Sequence, residues 1–220
     1  MKREIITTAD GSTTIHLPEW NEQYHSKHGA IQEAYHVFIK SGLNLFKNRK
    51  ISILEVGFGT GLNCFITFLE AQKSKLKIEY YGIEAYPISE KEIESLNYVD
   101  QLNVLEFEDV FQEIHHNEWE VKNKISSEFT LTKREQFFNE IVDENKFNLI
   151  YFDAFGARVQ PELWTVEIFQ KMYNSLKAKG VLVTYSAKGS VRRAMLEVGF
   201  KVEKLEGPPG KREMLRAIKT

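Results

Sequence analysis

The run Ile51-Ser52-Ile53-Leu54-Glu55-Val56-Gly57-Phe58-Gly59-Thr60-Gly61-Leu62-Asn63 constrains this chain more than any other segment. Its β-branched and apolar residues predict a strand to Val56, its three glycines a tight turn, and Leu62 to Ala71 a helix. A strand that stops at glycines and passes into a helix is how an α/β protein holds a nucleotide-like ligand. Without Cβ atoms the backbone turns sharply and lets the ligand come close. The spacing is G-x-G-x-G, not the G-x-G-x-x-G of pyrophosphate binders. It points away from dinucleotides and toward S-adenosylmethionine, which has no phosphate to seat.

The pattern downstream repeats this alternation. Ile78 to Ile83 reads as a second strand ending at Glu84, and Ser89 with Glu92 three residues later marks a capped helix. Phe147 to Phe152 is a strand ending at Asp153. Thr165 to Leu176 is a helix, Val181 to Tyr185 a strand, and Val191 to Val198 a helix stopped by Gly199. Phe200 to Leu205 and Met214 to Ile218 flank Gly207-Pro208-Pro209-Gly210 and read as an antiparallel hairpin. Between residues 100 and 146, Phe107 to Trp119 looks helical, and 128–134 is preferred as the sheet's third strand. The expected fold class is therefore α/β, a Rossmann-like, mostly parallel sheet with a C-terminal antiparallel hairpin. We read residues 1–220 as a single domain. An N-terminal helical extension (about 1–50, with a helix from Ile31 to Leu45) precedes the sheet, and an insertion occupies about 100–127.

Composition narrows the setting. No apolar run approaches the roughly 20 residues that span a bilayer, and the N-terminus lacks the apolar core of a secretory signal, so no membrane partner and a cytoplasmic location are expected. Cys64 is the sole cysteine, which excludes an internal disulfide and any cysteine-based zinc site. The net charge of −2 offers no global basic field, so a nucleic-acid partner would need a local patch.

Ligands of open α/β sheets sit outside the carboxyl ends of the strands, and Glu55, Glu84 and Asp153 fall there. Glu84 can accept hydrogen bonds from both ribose hydroxyls, or be a solvated strand exit. Glu55 can face the cationic end of the cofactor through water or backbone, or support loop geometry. Glu135, with Asp109 as rival, is the candidate for the adenine edge. Asp153 opens Asp153-Ala154-Phe155-Gly156, with Pro161 and Trp164 beyond. Enzymes that methylate base amino groups often carry an Asn/Asp-Pro-Pro-aromatic motif at this strand end, and its absence argues against exocyclic base nitrogens. A bare carboxylate beside Phe155 suits an alkyl amine, which it can attract, orient and deprotonate. Trp164 and Phe155 can stack on a base or belong to the core.

Lys188, Arg192, Arg193, Lys211 and Arg212 form a late basic group, suited to phosphates if the fold brings them to the pocket rim and otherwise a solvated face. His25, His28 and His36 match no metal spacing, His115 and His116 read as surface residues, and no metal is expected. Cys64 reads as a small core residue.

Gly57-Phe58-Gly59-Thr60-Gly61-Leu62-Asn63, Asp153-Ala154-Phe155 with Pro161 and Trp164, Val191-Arg192-Arg193 and Gly210-Lys211-Arg212-Glu213-Met214 together resemble the methyltransferase half of the MnmC tRNA-modification proteins. Tyr24-His25-Ser26 and Glu33 with Val37-Phe38 are similar to that family's N-terminal signature. The resemblance runs from about residue 20 to 218. It implies a Rossmann-like S-adenosylmethionine-dependent methyltransferase. The implied reaction is methylation of the 5-aminomethyl group of the wobble uridine of tRNA, giving 5-methylaminomethyluridine. On this reading Gly57, Gly59, Gly61, Asn63 and Glu84 serve the cofactor, Asp153 is catalytic, and Phe155, Lys188, Arg192, Lys211 and Arg212 face the substrate. The bifunctional proteins continue into a flavin-dependent oxidase, so for a chain ending at Thr220 no FAD is expected and a separate enzyme would supply the amine. The segment 100–127 has no counterpart in the family pattern. Two rivals stand beside this expectation: a small-molecule amine methyltransferase or aminopropyltransferase on the same fold, and a non-catalytic RNA- or protein-binding module.

Overall fold

A computed structural model describes residues 2–220. The chain opens with strands β1 (Glu4–Thr7), β2 (Thr13–Leu17) and β3 (Glu22–Gln23), joined in an antiparallel sheet of their own. Helix α1 (Ala30–Ala34) continues as a π-helical stretch, Tyr35–Lys40, and a 3₁₀ turn follows at Leu43–Leu45. β4 (Lys50–Val56), α2 (Leu62–Ser74), β5 (Lys77–Glu84), α3 (Glu90–Glu94), α4 (Tyr98–Leu102), α5 (Glu108–His116), β6 (Lys122–Lys124) and β7 (Phe129–Glu135) come next. The second half holds β8 (Phe147–Phe152), α6 (Val166–Ser175), β9 (Leu176–Thr184), α7 (Gly189–Glu197), β10 (Phe200–Glu206) and β11 (Glu213–Lys219).

The large sheet has the order β10-β11-β9-β8-β4-β5-β7-β6. β7, β5, β4, β8 and β9 are mutually parallel, and β11 returns antiparallel to β9 with β10 outside it. The expected α/β class and terminal hairpin are both present. β4 pairs with β5 on one side and with β8 on the other, so the chain reverses its winding direction between β4 and β8. Such a switch point opens a crevice at the carboxyl ends of the two strands.

β4 shows why the sheet is covered on both faces. Ile51 and Ile53 point into a layer with Phe65, Ile66, Tyr80, Phe111 and Tyr151. Leu54 and Val56 point into the opposite layer with Phe152, Ile168, Phe169 and Met195. Period-two alternation with both faces apolar is the signature of a buried parallel strand. α1, α2, α4 and α5 cover the first face, α6 and α7 the second. No helix among the described residues is long and apolar enough to cross a membrane.

Two segments differ from expectation. Residues 1–50 do hold a helix near the expected Ile31–Leu45, but they open with the three-stranded sheet and not with helix. The turn between β1 and β2 is built by Gly11 at φ 84 and by Asp10, whose Oδ1 accepts the Ser12 N–H (3.1 Å) and the Thr8 hydroxyl (2.7 Å). Such an Asp-Gly turn between β-branched runs is a hairpin signal. Within 100–127, α5 buries Phe111 and Ile114 in the main core and β6 adds an antiparallel edge strand to β7. His115, expected at the surface, is buried on α5 beside Phe111.

Gly82 on β5 leaves room for the Phe58 ring of the glycine loop, and a Cβ there would overlap that buried ring. Gly82→Ala should therefore destabilise the chain by about 1–3 kcal/mol through overpacking. The check is the urea midpoint, read at unchanged m-value.

Candidate active site

The glycine loop leaves β4 at Val56 and is stitched to β5 by the N–H groups of Gly57 and Phe58, which both donate to the Ile83 carbonyl (3.0 and 2.9 Å). Gly57 has φ 94, and a Cβ on it would lie 2.6 Å from the Asp153 carbonyl oxygen. The loop thus packs directly on the end of β8, which only glycine permits. Glu84 reaches back over the loop. Its Oε2 accepts the Gly59 N–H and its Oε1 the Tyr86 N–H, each at 3.0 Å. A carboxylate oxygen so placed retains lone pairs for ligand hydroxyls.

Asn63, in the first turn of α2, joins two acids. Its Nδ2 donates to Glu55 Oε1 and to Asp153 Oδ2, both at 2.9 Å. Glu55 is 0% exposed and also accepts the Tyr80 hydroxyl at 2.8 Å. Burial pushes its carboxyl well above the usual range. Glu55 therefore does not line the cleft; it sits beneath the site and anchors Asn63. The second Asn63 atom, Oδ1, is buried without any partner. An unsatisfied buried acceptor at the edge of the loop calls for a donor from a ligand, and the ammonium of an amino-acid moiety is such a donor. With Glu84 for hydroxyls and Tyr86 and Phe137 for a flat heterocycle, the donor set fits S-adenosylmethionine. Those two rings lie 5.9 Å apart at 79° on the cleft wall and are 62% and 51% exposed, unusual for large aromatics without a ligand.

Asp153 sits across the loop, at the end of β8. Burial, with the Glu33 charge adding to it, pushes its carboxyl up to about 7, against the Asn63 hydrogen bond and the Lys211 charge. The turn that follows is clamped by two side chains. Tyr185 Oη donates to the Ala154 carbonyl (2.8 Å), and Trp164 Nε1 to the Phe155 carbonyl (2.7 Å). Trp164 is buried against Phe152, so of its two readings the core one holds. Phe155 instead faces the cleft, with Tyr24 and Trp20 edge-on to it at 5.0 and 5.6 Å.

These groups line one cleft of about 1250 Å³. That exceeds the roughly 300–1,000 Å³ of a single small-molecule site and leaves space for a cofactor and an acceptor together. Gly57, Gly59, Asn63, Glu84, Asp153, Phe155, Lys188 and Lys211 all border it. Other expected residues do not. Gly61, at φ 70, starts α2, and a Cβ on it would face His115. Glu135 pairs with Glu84 in the sheet, yet its side chain is exposed away from the cleft, as is Asp109 on α5. Arg192 is half-buried on α7 with Nε unpaired, and Arg212 is exposed on the hairpin loop. Lys211 is already engaged, its Nζ donating to Glu33 Oε1 at 2.6 Å. Missed in the sequence were Trp20, Tyr86 and Phe137. Only Tyr86 carried a signal, two residues beyond the strand-end acid.

Comparison with known proteins agrees with this geometry. Residues 111–220 match the family model described as S-adenosyl-L-methionine-dependent methyltransferase. The chain is 26% identical over 220 residues to the tRNA 5-methylaminomethyl-2-thiouridine biosynthesis bifunctional protein MnmC of Nitrosospira multiformis, covering 92% of this chain and 35% of that protein. To the MnmC of Leptospira interrogans it is 28% identical over 212 residues, covering 90% and 32%. The chain thus spans about a third of the length of these relatives. The crystal structure of MnmC2 from Aquifex aeolicus superposes with a TM-score of 0.78 at 27% identity, covering 100% of this chain and 70% of that one. Spermidine synthase of Thermotoga maritima, at TM-score 0.59 and 16% identity over 99% of this chain and 68% of that one, shares the fold. Glycine loop, strand-end acids and motif resemblance converge with these matches: the chain belongs to the S-adenosyl-L-methionine-dependent methyltransferases.

Proposed function

We propose that this protein methylates the 5-aminomethyl group of the wobble uridine in tRNA, giving 5-methylaminomethyluridine. The observation that carries the reading is the position of Asp153, a half-buried carboxyl at the end of β8 that borders the cleft between the glycine loop and the aromatic wall of Phe155, Tyr24 and Trp20. The likeness to the tRNA 5-methylaminomethyl-2-thiouridine biosynthesis proteins MnmC supports it. S-Adenosylmethionine, when bound, supplies a methyl group already activated on its sulfonium. Gly57, Gly59, Asn63 and Glu84 would hold it, with Tyr86 and Phe137 at its base.

The chain's own chemistry is then proton handling and placement. Asp153 attracts the acceptor's ammonium, takes one proton from it, and holds the neutral nitrogen toward the loop. A base with a pKa near the working pH suits that transfer. Phe155, Tyr24 and Trp20 present ring edges and faces to the everted uracil, and the clamps from Tyr185 and Trp164 fix the turn that aims Asp153. Lys188, exposed on the rim, is the side chain we assign to tRNA phosphate. On this reading the primary amine comes from an earlier reaction, and a tRNA acceptor supports a cytoplasmic location. A small-molecule amine acceptor is the alternative, and it predicts turnover on free amines with no dependence on Lys188.

Nucleoside analysis of tRNA from a strain lacking the protein should show 5-aminomethyluridine accumulating; an unchanged profile would overturn the assignment. Asp153→Ala should lower kcat on aminomethyl-bearing tRNA by about 10²–10⁴-fold while calorimetric affinity for S-adenosylmethionine stays within about threefold. Wild-type-like turnover would remove Asp153 from the reaction. Stability carries the same signature. The Asp153 pKa rises from 3.8 to about 7 on folding, so between those values the folded chain holds a proton that the unfolded chain has lost. This group's contribution to stability therefore falls as pH rises from about 4 to about 7. Urea midpoints of the wild type should decline across that window relative to Asp153→Asn, and parallel curves would contradict the shift.

A further inference from the structure

Lys211 behaves unlike a lysine waiting for phosphate. It lies in the loop between β10 and β11, held by its own N–H donating to the Pro208 carbonyl (2.9 Å). Gly210, at φ 84, packs so close to the His28 ring that a Cβ would not fit. The Lys211 side chain turns inward, with Nζ 2.6 Å from Glu33 Oε1 and 3.8 Å from the centre of the Tyr185 ring. Glu33 is just as firmly held. It sits on α1 with its side chain 10% exposed, and its Oε2 accepts the Ser26 N–H at 2.8 Å. Tyr185, beneath the ammonium, is the residue whose hydroxyl clamps Ala154, next to Asp153. Two charges of opposite sign, from opposite ends of the chain, thus border the acceptor side of the same cleft as Asp153.

We propose that Glu33 and Lys211 form a positioning pair for Asp153. The acid favours a proton on the Asp153 carboxyl, the ammonium favours its loss, and their ion pair holds the two influences in balance. This rests on the assignment of Asp153 as the group that takes the acceptor's proton. It also reassigns Lys211 from phosphate contact to positioning residue, leaving Lys188 for the phosphate.

The physical case is one of shared placement and screening. Ion pairs on open surfaces act weakly because water screens them, whereas the Glu33 side chain is 10% exposed and that of Lys211 34%, so this pair is partly withdrawn from water and less screened. The remaining groups around Asp153 leave the pair as its main charged neighbours. From α2, Asn63 contributes a neutral amide, and from β4 Glu55 lies behind that amide, bonded also to Tyr80 of β5. Glu84, at the end of β5, is occupied by the Gly59 and Tyr86 amides. At the mouth, Glu22 of β3 is paired with Arg158 at 3.0 Å, and Lys188, before α7, is exposed. Glu33 and Lys211 bring opposite charges to the cleft that Asp153 borders, and Tyr185 links the Lys211 ammonium to the turn that follows Asp153.

The opposition gives a test that a merely structural bridge would not pass. Glu33→Gln, Lys211→Met and the double variant are made in the full chain, with folding verified by thermal melting. In each, the Asp153 carboxyl is titrated by ¹³C NMR without ligands, using Asp153→Asn to assign the signal. We expect the midpoint to move down in Glu33→Gln and up in Lys211→Met, each by about half a pH unit or more, and to return toward wild type in the double variant. The acid limb of kcat on aminomethyl-bearing tRNA should follow in the same directions, with KM for tRNA nearly unchanged. If Lys211→Met does not fold, Lys211→Gln takes its place. Shifts of the same sign, or none, would overturn the proposal. So would a Lys211→Met effect confined to KM with a shallower salt dependence, which would make Lys211 a phosphate contact after all. Full turnover in Asp153→Asn would instead defeat the assignment of Asp153 as base, and the NMR titrations would still decide whether the pair acts on that carboxyl.

Discussion

One amide organises this site. β4 and β8 are neighbours at the switch point, and each brings an acid there, Glu55 on β4 and Asp153 just past β8. Two like charges so close, Glu55 buried and Asp153 half-buried, would oppose folding, since both lose water and neither offsets the other. Asn63 resolves the conflict with the two hydrogens of a single NH₂, one for each carboxyl. Tyr80 adds a second donor to Glu55 only, and burial holds that acid toward its neutral form. The negative charge of the pair is thereby left to Asp153, the member that borders the cleft.

The rest of the fold divides around that amide. Toward β5 the wall is glycine backbone, Glu84 held by two amides, and an exposed aromatic pair, the side we assign to the cofactor. Toward β9 and the hairpin it is lined by Phe155, Tyr185, Glu33 and Lys211, the side we assign to the acceptor. The N-terminal sheet roofs both halves. Arg3 ties it to the Tyr86 and Pro87 carbonyls on the cofactor side, and Arg158 ties the acceptor loop to the carbonyls of Trp20 and Asn21. These links are mostly exposed polar contacts, each of modest strength. A roof fastened in this way holds Tyr24 against Gly59 of the glycine loop through polar links.

The sequence made the parallel sheet legible because each central strand is an apolar run that ends at an acid or a glycine, a local signal. The N-terminal sheet was not read because β2 is short, with Ile15 and Leu17 as its only apolar residues on one face and polar Thr14 and His16 on the other, and its placement depends on remote contacts such as Asn97 with Thr13. The site divided along the same line. Residues that stand at strand ends, such as Glu84 and Asp153, could be placed at the cleft by pattern. Residues whose role depends on a remote partner could not. The sign of the Lys211 charge was visible, but Glu33 lies 178 residues away in sequence. Glu135 failed for a related reason. It occupies the correct strand end, but β7 lies one strand beyond β5, and its side chain is turned to solvent.

The identity of residue 63 matters more than its hydrogen-bonding capacity alone. A lysine there could bridge the same two carboxyls and would stabilise both strongly as anions. It would also pull Asp153 far below neutrality, and a carboxylate held that low is a poor acceptor for the proton of an alkyl ammonium. An amide supplies the geometry without the charge. Asp153 is then free to respond to weaker influences at longer range, with burial pushing it upward and Lys211 pulling it down. A neutral bridge at the centre is therefore what allows the charged pair at the rim to matter.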